Sequence, residues 1–190
     1  MLDKSVQYVP IVMRRDRGAA LPDYALPEGF RFVYYASGDE KEWARIETSV
    51  LEFKSEMDAL LYFQREFMSR LSELPFRCLF IETEGGEKVA TASAWWTYTG
   101  IRRDPIVHWV AVKPEYQGRG LGKAVTAQVI RRMLEIEGDR AFYLGTQTWS
   151  HKAVGIYKQC GFYITDEPGA LGKENTRSAE AIEVLNSINL

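Results

Sequence analysis

The chain is poor in the residues that build metal centres and covalent cross-links. Its 190 residues include two cysteines, Cys78 and Cys160, and two histidines, His108 and His151. Cysteines this few and this far apart make no disulfide scaffold, and so small a set of soft ligands predicts no metal site. Long apolar runs are also missing. The stretch from Tyr8 to Met13 is too short to span a bilayer, and Asp3 and Lys4 break any leader pattern before it. The expectation is a soluble, cytoplasmic protein with no membrane partner. No sign of charge dominates, since 24 basic against 26 acidic residues give a formal net charge of −2. That balance offers no electrostatic basis for a nucleic-acid partner. Internal repeats and low-complexity tracts are absent.

What remains is an ordinary globular composition, 46% hydrophobic and 26% charged, with a high aromatic share of 13%. The length suits one large domain. Residues 1–28 read as an irregular arm, punctuated by Pro10, Gly18, Pro22 and Pro27. A folded domain is expected over 29–168 and a polar tail over 169–190, with a helix from about Ser178 to Ser187. Phe30 to Tyr35 reads as a strand. Asp39 and Glu42 form a capping-box signature before Trp43, Ile46 and Val50, which predicts a helix over about 40–51. Ser55 with Asp58 starts a second helix that carries Leu60, Phe63, Phe67 and Leu71 and ends before Pro75. Two strands then flank the Glu84 to Glu87 turn, and Ile106 to Val112 is a compact buried strand. A helix follows with Leu121, Val125, Val129 and Met133 at steps of four. After it come a strand over 141–147, a helix carrying Ala153 to Cys160, and a short strand from Phe162 to Thr165. This order predicts an α/β or α+β domain with a mixed sheet.

The segment from Ile106 to Thr126 carries the chemistry. A buried strand turns at Pro114, and Gln117-Gly118-Arg119-Gly120-Leu121-Gly122 opens directly into a helix. A helix N-terminus has unpaired N–H groups and partial positive charge, and glycines let a ligand approach the backbone. Together they make a phosphate or pyrophosphate site. A triphosphate loop needs Ser or Thr after the lysine, but Ala124 follows Lys123. The dinucleotide pattern requires a third glycine where Lys123 stands.

The spacing of Gln117, Gly120 and Gly122 resembles the cofactor motif of the GNAT superfamily of N-acetyltransferases. The preceding Val110-Ala111-Val112 is similar to that family's fourth strand. Ala153, Ile156, Tyr157, Gly161 and Phe162 match its later motif, with Ser150 where the family usually has Asn. The resemblance covers roughly residues 30–165. It implies a GNAT fold: a mostly antiparallel twisted sheet flanked by helices and split between the fourth and fifth strands, where acetyl-CoA inserts. It also implies acetyl transfer to a primary amine, a small molecule or a peptide, by direct attack in a ternary complex. A homodimer is left open. The rival readings are a CoA-binding module without turnover and an acyltransferase for a longer acyl-CoA.

On this resemblance the amides of Gln117, Gly118, Arg119, Gly120, Leu121, Gly122 and Lys123 hold the pyrophosphate. Val110, Ala111 and Val112 bond the pantetheine arm, and Ser150 stands at a further cofactor position. Tyr157 is the catalytic acid that meets the leaving sulfur. His108 is the candidate base, two residues before Val110 and so on the strand face of Val110 and Val112. Glu52, Phe53, Trp95 and Trp96 lie where the family builds its acceptor pocket, with Trp95 and Trp96 facing opposite ways. Cys160, beside the glycine turn, is not a nucleophile.

Overall fold

The computed structural model describes residues 2–188. Seven strands form one sheet. In chain order they are β1 (Pro10–Arg15), β2 (Phe30–Tyr34), β3 (Cys78–Thr83), β4 (Lys88–Thr99), β5 (Arg102–Val112), β6 (Phe142–Gln147) and β7 (Phe162–Ile164). Their order across the sheet is β2-β3-β4-β5-β6-β1-β7. Every neighbouring pair is antiparallel except β5 and β6.

The N-terminal segment is where expectation and structure part. Residues 10–15, read from the sequence as part of an irregular arm, form β1, which inserts between β6 and β7. Ile11 and Met13 are buried toward one core and Val12 toward the other, so the strand is an internal one with two apolar faces. The insertion moves the expected split by one strand in chain order, to β5 and β6. It also gives β7 a partner.

Helices cover both faces. On one lie α1 (Glu40–Ser49) and α2 (Glu56–Phe67), packed through Trp43, Ile46, Phe63 and Phe67 onto Phe80, Trp95 and Ile106. The expected second helix breaks at Phe67. A 3₁₀ segment over Met68–Glu73 and a one-turn helix α3 (Leu74–Arg77) carry the chain past Pro75, which sits in the first turn where its missing N–H costs nothing. On the other face lie α4 (Leu121–Glu137) and α5 (His151–Gln159), packed through Val125, Val129, Met133 and Val154 onto Ala90, Ala92 and Val107. The tail forms α6 (Ser178–Ser187), which buries Ala181 and Leu185 against the same core.

Two caps behave differently. Ser55 accepts the Asp58 N–H over 3.1 Å, as the motif predicts. Asp39 does not cap its own helix. It accepts the Ala36 N–H at 2.8 Å and pairs with Lys88 at 2.9 Å, so its carboxylate ties the helix entry to β4.

Candidate active site

Only one residue pair, Ile106 and Tyr143, joins β5 to β6. Beyond it β5 continues through Val110, Ala111 and Val112, bonded to β4 on its other side. Strand β6 instead pairs with β1 along its whole length. The sheet is therefore open on one edge of β5, and unpaired strand groups there can bond an extended ligand arm.

The opening leads into a cleft of about 470 Å³, a size typical of small-molecule sites, which run from about 300 to 1,000 Å³. Val110, Ala111 and Val112 form one wall, the glycine loop forms the end, and α5 closes the other side. Gly118 and Gly120 adopt φ of 78° and 86°, and among the described residues a Cβ on either would meet no atom within 4 Å beyond its chain neighbours. The loop thus turns its backbone toward open space at the start of a 17-residue helix. Gly122 serves packing instead, since a Cβ there would stand 3.4 Å from Ile156 Cδ1. Gln117 donates its side-chain amide to the Val112 carbonyl over 2.8 Å, fixing the loop to the strand end.

Of the expected cofactor residues, Gln117, Gly118, Gly120, Gly122, Lys123 and Ser150 line this cleft together with the three β5 residues. Arg119 and Leu121 are not among its lining. The exposed Arg119 guanidinium lies 5.2 Å from the Tyr116 ring centre, and Leu121 is buried in the core. Ser150 accepts the Gln147 side-chain amide at 3.2 Å and leaves α5 without a side-chain cap. Thr126 and Val50 also line the cleft and were not singled out by sequence. Val50 follows α1 directly and continues its apolar stripe, which gave no sign that the helix end reaches a ligand site.

Tyr157 lies on the cleft wall, 7% exposed. Burial raises its phenol above the ordinary range, and Glu47 and Glu52 raise it further. The hydroxyl therefore keeps its proton at neutral pH. Cys160 is buried at the end of α5 and its thiol is pushed up to about 11 by burial, so it carries no thiolate at neutral pH.

His108 is placed differently from expectation. Opposite Ala92 the β4–β5 register slips, with Thr91 facing Ala111 but Ser93 facing His108. Trp109 sits in this bulge with φ of 49°. The extra residue reverses the alternation. His108 and Trp109 join the aromatic face under α1 and α2, where Phe67 and Trp109 flank the imidazole, while Val110 and Val112 pack toward α4. His108 thus does not share a face with Val110 and Val112. Burial, with a contribution from Lys173, pushes its imidazole down to about 4.

The acceptor-side residues also divide. Glu52 lines the cleft, and Phe53 stacks on Trp109 with ring centres 5.2 Å apart. Trp95 and Trp96 are outside the lining. Their rings stack at 4.7 Å rather than facing opposite ways, with Arg77 and Arg103 each 4.6 Å from the Trp96 ring centre. Leu51, just before Glu52, is held at φ of 72°. Left-handed backbone at a residue without glycine's freedom costs on the order of 1–3 kcal/mol, and it is found here at Leu51 and Trp109, each next in sequence to a residue that lines the cleft.

A sheet split beside a glycine loop and a helix N-terminus defines a fold of the acyl-CoA N-acyltransferase type. Residues 41–162 match the acetyltransferase (GNAT) family, and the chain belongs to it. It is 29% identical over 158 residues to the mycothiol acetyltransferase of Paenarthrobacter aurescens, covering 78% of this chain and 47% of that protein. It is 28% identical over 162 residues to that of Streptomyces coelicolor, covering 84% and 50%. The chain thus spans about half the length of these curated relatives. Among solved structures, a GCN5-related N-acetyltransferase from Sphaerobacter thermophilus superposes with a TM-score of 0.66 at 20% identity, over 84% of this chain and 49% of that one. That likeness shows the fold.

Proposed function

We propose that this protein transfers the acetyl group of acetyl-CoA to a primary amine by direct attack. The observation that carries the reading is the free edge of β5 at Val110 to Val112, facing a cleft that ends at the N-terminus of α4 and has Tyr157 on its wall. The cleft fits the cofactor's chemistry. The loop from Gln117 to Lys123 offers backbone donors, a helix dipole and the Lys123 ammonium to a pyrophosphate. The backbone of Val110 to Val112 offers strand-type bonds to the pantetheine arm. Acetyl-CoA, when bound, supplies the acetyl group as a thioester with a thiol leaving group.

The chain's own residues do the rest. Tyr157 holds a proton at its hydroxyl, where burial keeps it, and can give that proton to a leaving sulfur. His108, pushed down to about 4 by burial, is neutral at physiological pH and a weaker base than an ordinary imidazole. Glu52 at the cleft rim favours a cationic acceptor. The names of the relatives, acetyltransferases of mycothiol and, over a 65-residue match at 37% identity, of thialysine in Sus scrofa, support acetyl transfer as the reaction class. The test is a panel of primary amines, scored by free-thiol release from acetyl-CoA. Thiol release with at least one amine is expected. A panel that yields none, with acetyl-CoA bound, would leave a binding module.

A further inference from the structure

Glu47 is a buried carboxylate that the cofactor cleft does not use. It lies on the apolar face of α1, at 1% exposure, and its Oε1 has no hydrogen-bond partner among the described residues. Its own carbonyl accepts the Glu52 N–H over 3.2 Å, which folds the α1–α2 loop back over it. A buried carboxylate without a partner is costly, and native proteins pair such groups. In the free protein the carboxyl meets that cost by holding its proton more tightly, and the partner missing for its ionised form is a donor or a cation.

The surroundings say which. Glu47 lies on the helix face that carries Trp43, and Trp43, Phe53 and Tyr62 all close on the Trp109 ring, at centre separations of 5.4, 5.2 and 5.0 Å. Aromatic faces of this kind attract a desolvated ammonium. The groups that act on the carboxylate, or feel it, come from a loop, two helices and a strand. They are Glu52 from the loop, Tyr62 from α2, Cys78 from β3 and Tyr157 from α5. None of them carries positive charge; Lys4, with the Gln147 side-chain amide, acts on Glu52 at the rim. Glu47 stands on the α1 side of the sheet and Tyr157 on the α5 side, and the Glu47 charge raises the Tyr157 phenol.

We propose that Glu47, with Glu52 at the rim, is the ammonium subsite of the acceptor, and that Glu47 is the base that frees the amine. The proposal rests on the acetyl-transfer reading above. The acceptor arrives as an ammonium. Glu47 takes one N–H proton and becomes a neutral carboxylic acid, and the freed lone pair attacks the thioester carbon. Tyr157 gives its proton to the leaving sulfur and is restored by the second proton that nitrogen loses as the amide forms. The Glu47 proton returns to solvent before the next cycle. Burial, and then Glu52, hold the Glu47 carboxyl well above the usual range, which makes it a stronger base than an exposed glutamate.

The test compares Glu47→Gln with the wild type on two acceptors: the best alkylamine of the panel, which arrives protonated, and an O-alkyl hydroxylamine, which arrives neutral. Loss of a general base is expected to lower kcat/KM for the alkylamine by about 10²–10⁴-fold, and much less for the hydroxylamine. Acetyl-CoA affinity should be unchanged, and the acid limb of the alkylamine profile should vanish. Glu47→Asp should keep that limb. The melting temperature of Glu47→Gln should equal or exceed that of the wild type, with an advantage that grows from pH 5 to pH 8. Wild-type turnover in Glu47→Gln would overturn the proposal, as would an equal loss on both acceptors or a lowered melting temperature. If the wild type acetylates no amine, the acetyl-transfer reading fails separately. The alkylamine panel then decides Glu47 by thermal shift: a stabilisation lost in Glu47→Gln supports the subsite, and no stabilisation of the wild type overturns it.

Discussion

Gln117 and Val112 are joined by a 2.8 Å hydrogen bond in which the side-chain amide of the loop donates to the last carbonyl of the strand. The bond couples the two halves of the proposed cofactor site, the free strand edge and the helix N-terminus, at a fixed distance. Replacing Gln117 by Leu removes the donor and frees the loop. A hydrogen bond of this kind contributes about 0.5–1.5 kcal/mol, so acetyl-CoA should bind up to about tenfold more weakly. Calorimetric titration measures it, and an unchanged dissociation constant would mean the loop is held by its glycines alone.

Acetyl-CoA should itself raise the melting temperature, because a ligand that binds only the folded state stabilises it by mass action. Gly120→Asp places a carboxylate in the open space beyond Gly120. Its φ of 86° makes any side chain there strained, so the unliganded variant should lose on the order of 1 kcal/mol. The ligand-induced shift should disappear in addition. A shift of wild-type size in this variant would place the pyrophosphate elsewhere.

Burial of His108 makes stability depend on pH in a definite direction. Its imidazole is pushed down from 6.5 to about 4 in the folded chain. Between those values the unfolded state binds a proton that the folded state refuses, so the contribution is fully present above about 6.5 and is lost as pH falls toward 4. The full window is worth on the order of 3 kcal/mol. His108→Gln should flatten the denaturation midpoint between pH 6.5 and 4. An unaltered slope would mean the imidazole is solvated.

Much of the proposed cofactor cleft was legible because its signals are local. Positive φ at Gly118 and Gly120 needs glycine, and the apolar steps of α4 follow at once. Strand β1 was not legible. Its six residues begin at Pro10 and are followed closely by Gly18 and Pro22, and what makes them a strand is pairing with residues 142–147 and 162–164, far along the chain. The bulge at Trp109 was hidden for a related reason: tertiary packing holds a tryptophan where a glycine would have announced the turn. That hidden residue moved His108 to the other face and left strict alternation to misplace it. Glu47 had a signal that went unread. It stands in step with Trp43, Ile46 and Val50, a charged residue inside an apolar stripe, and such a residue needs a reason to be there.

The sharpest test of mechanism is Tyr157→Phe. The substitution removes one hydroxyl and keeps the ring, which packs against Phe162 with centres 6.2 Å apart. The core should survive, and the melting temperature should move little. General acid help is worth about 10²–10⁴-fold in rate. In the proposed mechanism the hydroxyl's partner is the charge that develops on sulfur, which exists only as the thioester breaks. Losing it should therefore lower kcat and kcat/KM together, with little change in acetyl-CoA affinity. The loss should shrink for an acyl donor with a more acidic thiol, whose thiolate needs less help in leaving. Because burial raises the phenol above its ordinary range, with Glu47 and Glu52 adding to it, the alkaline limb assigned to this group should also lie above the range of a free tyrosine. Turnover of Tyr157→Phe at the wild-type rate would remove the hydroxyl from the chemistry. A loss confined to acetyl-CoA binding would make Tyr157 a wall of the cleft and leave the leaving sulfur to water.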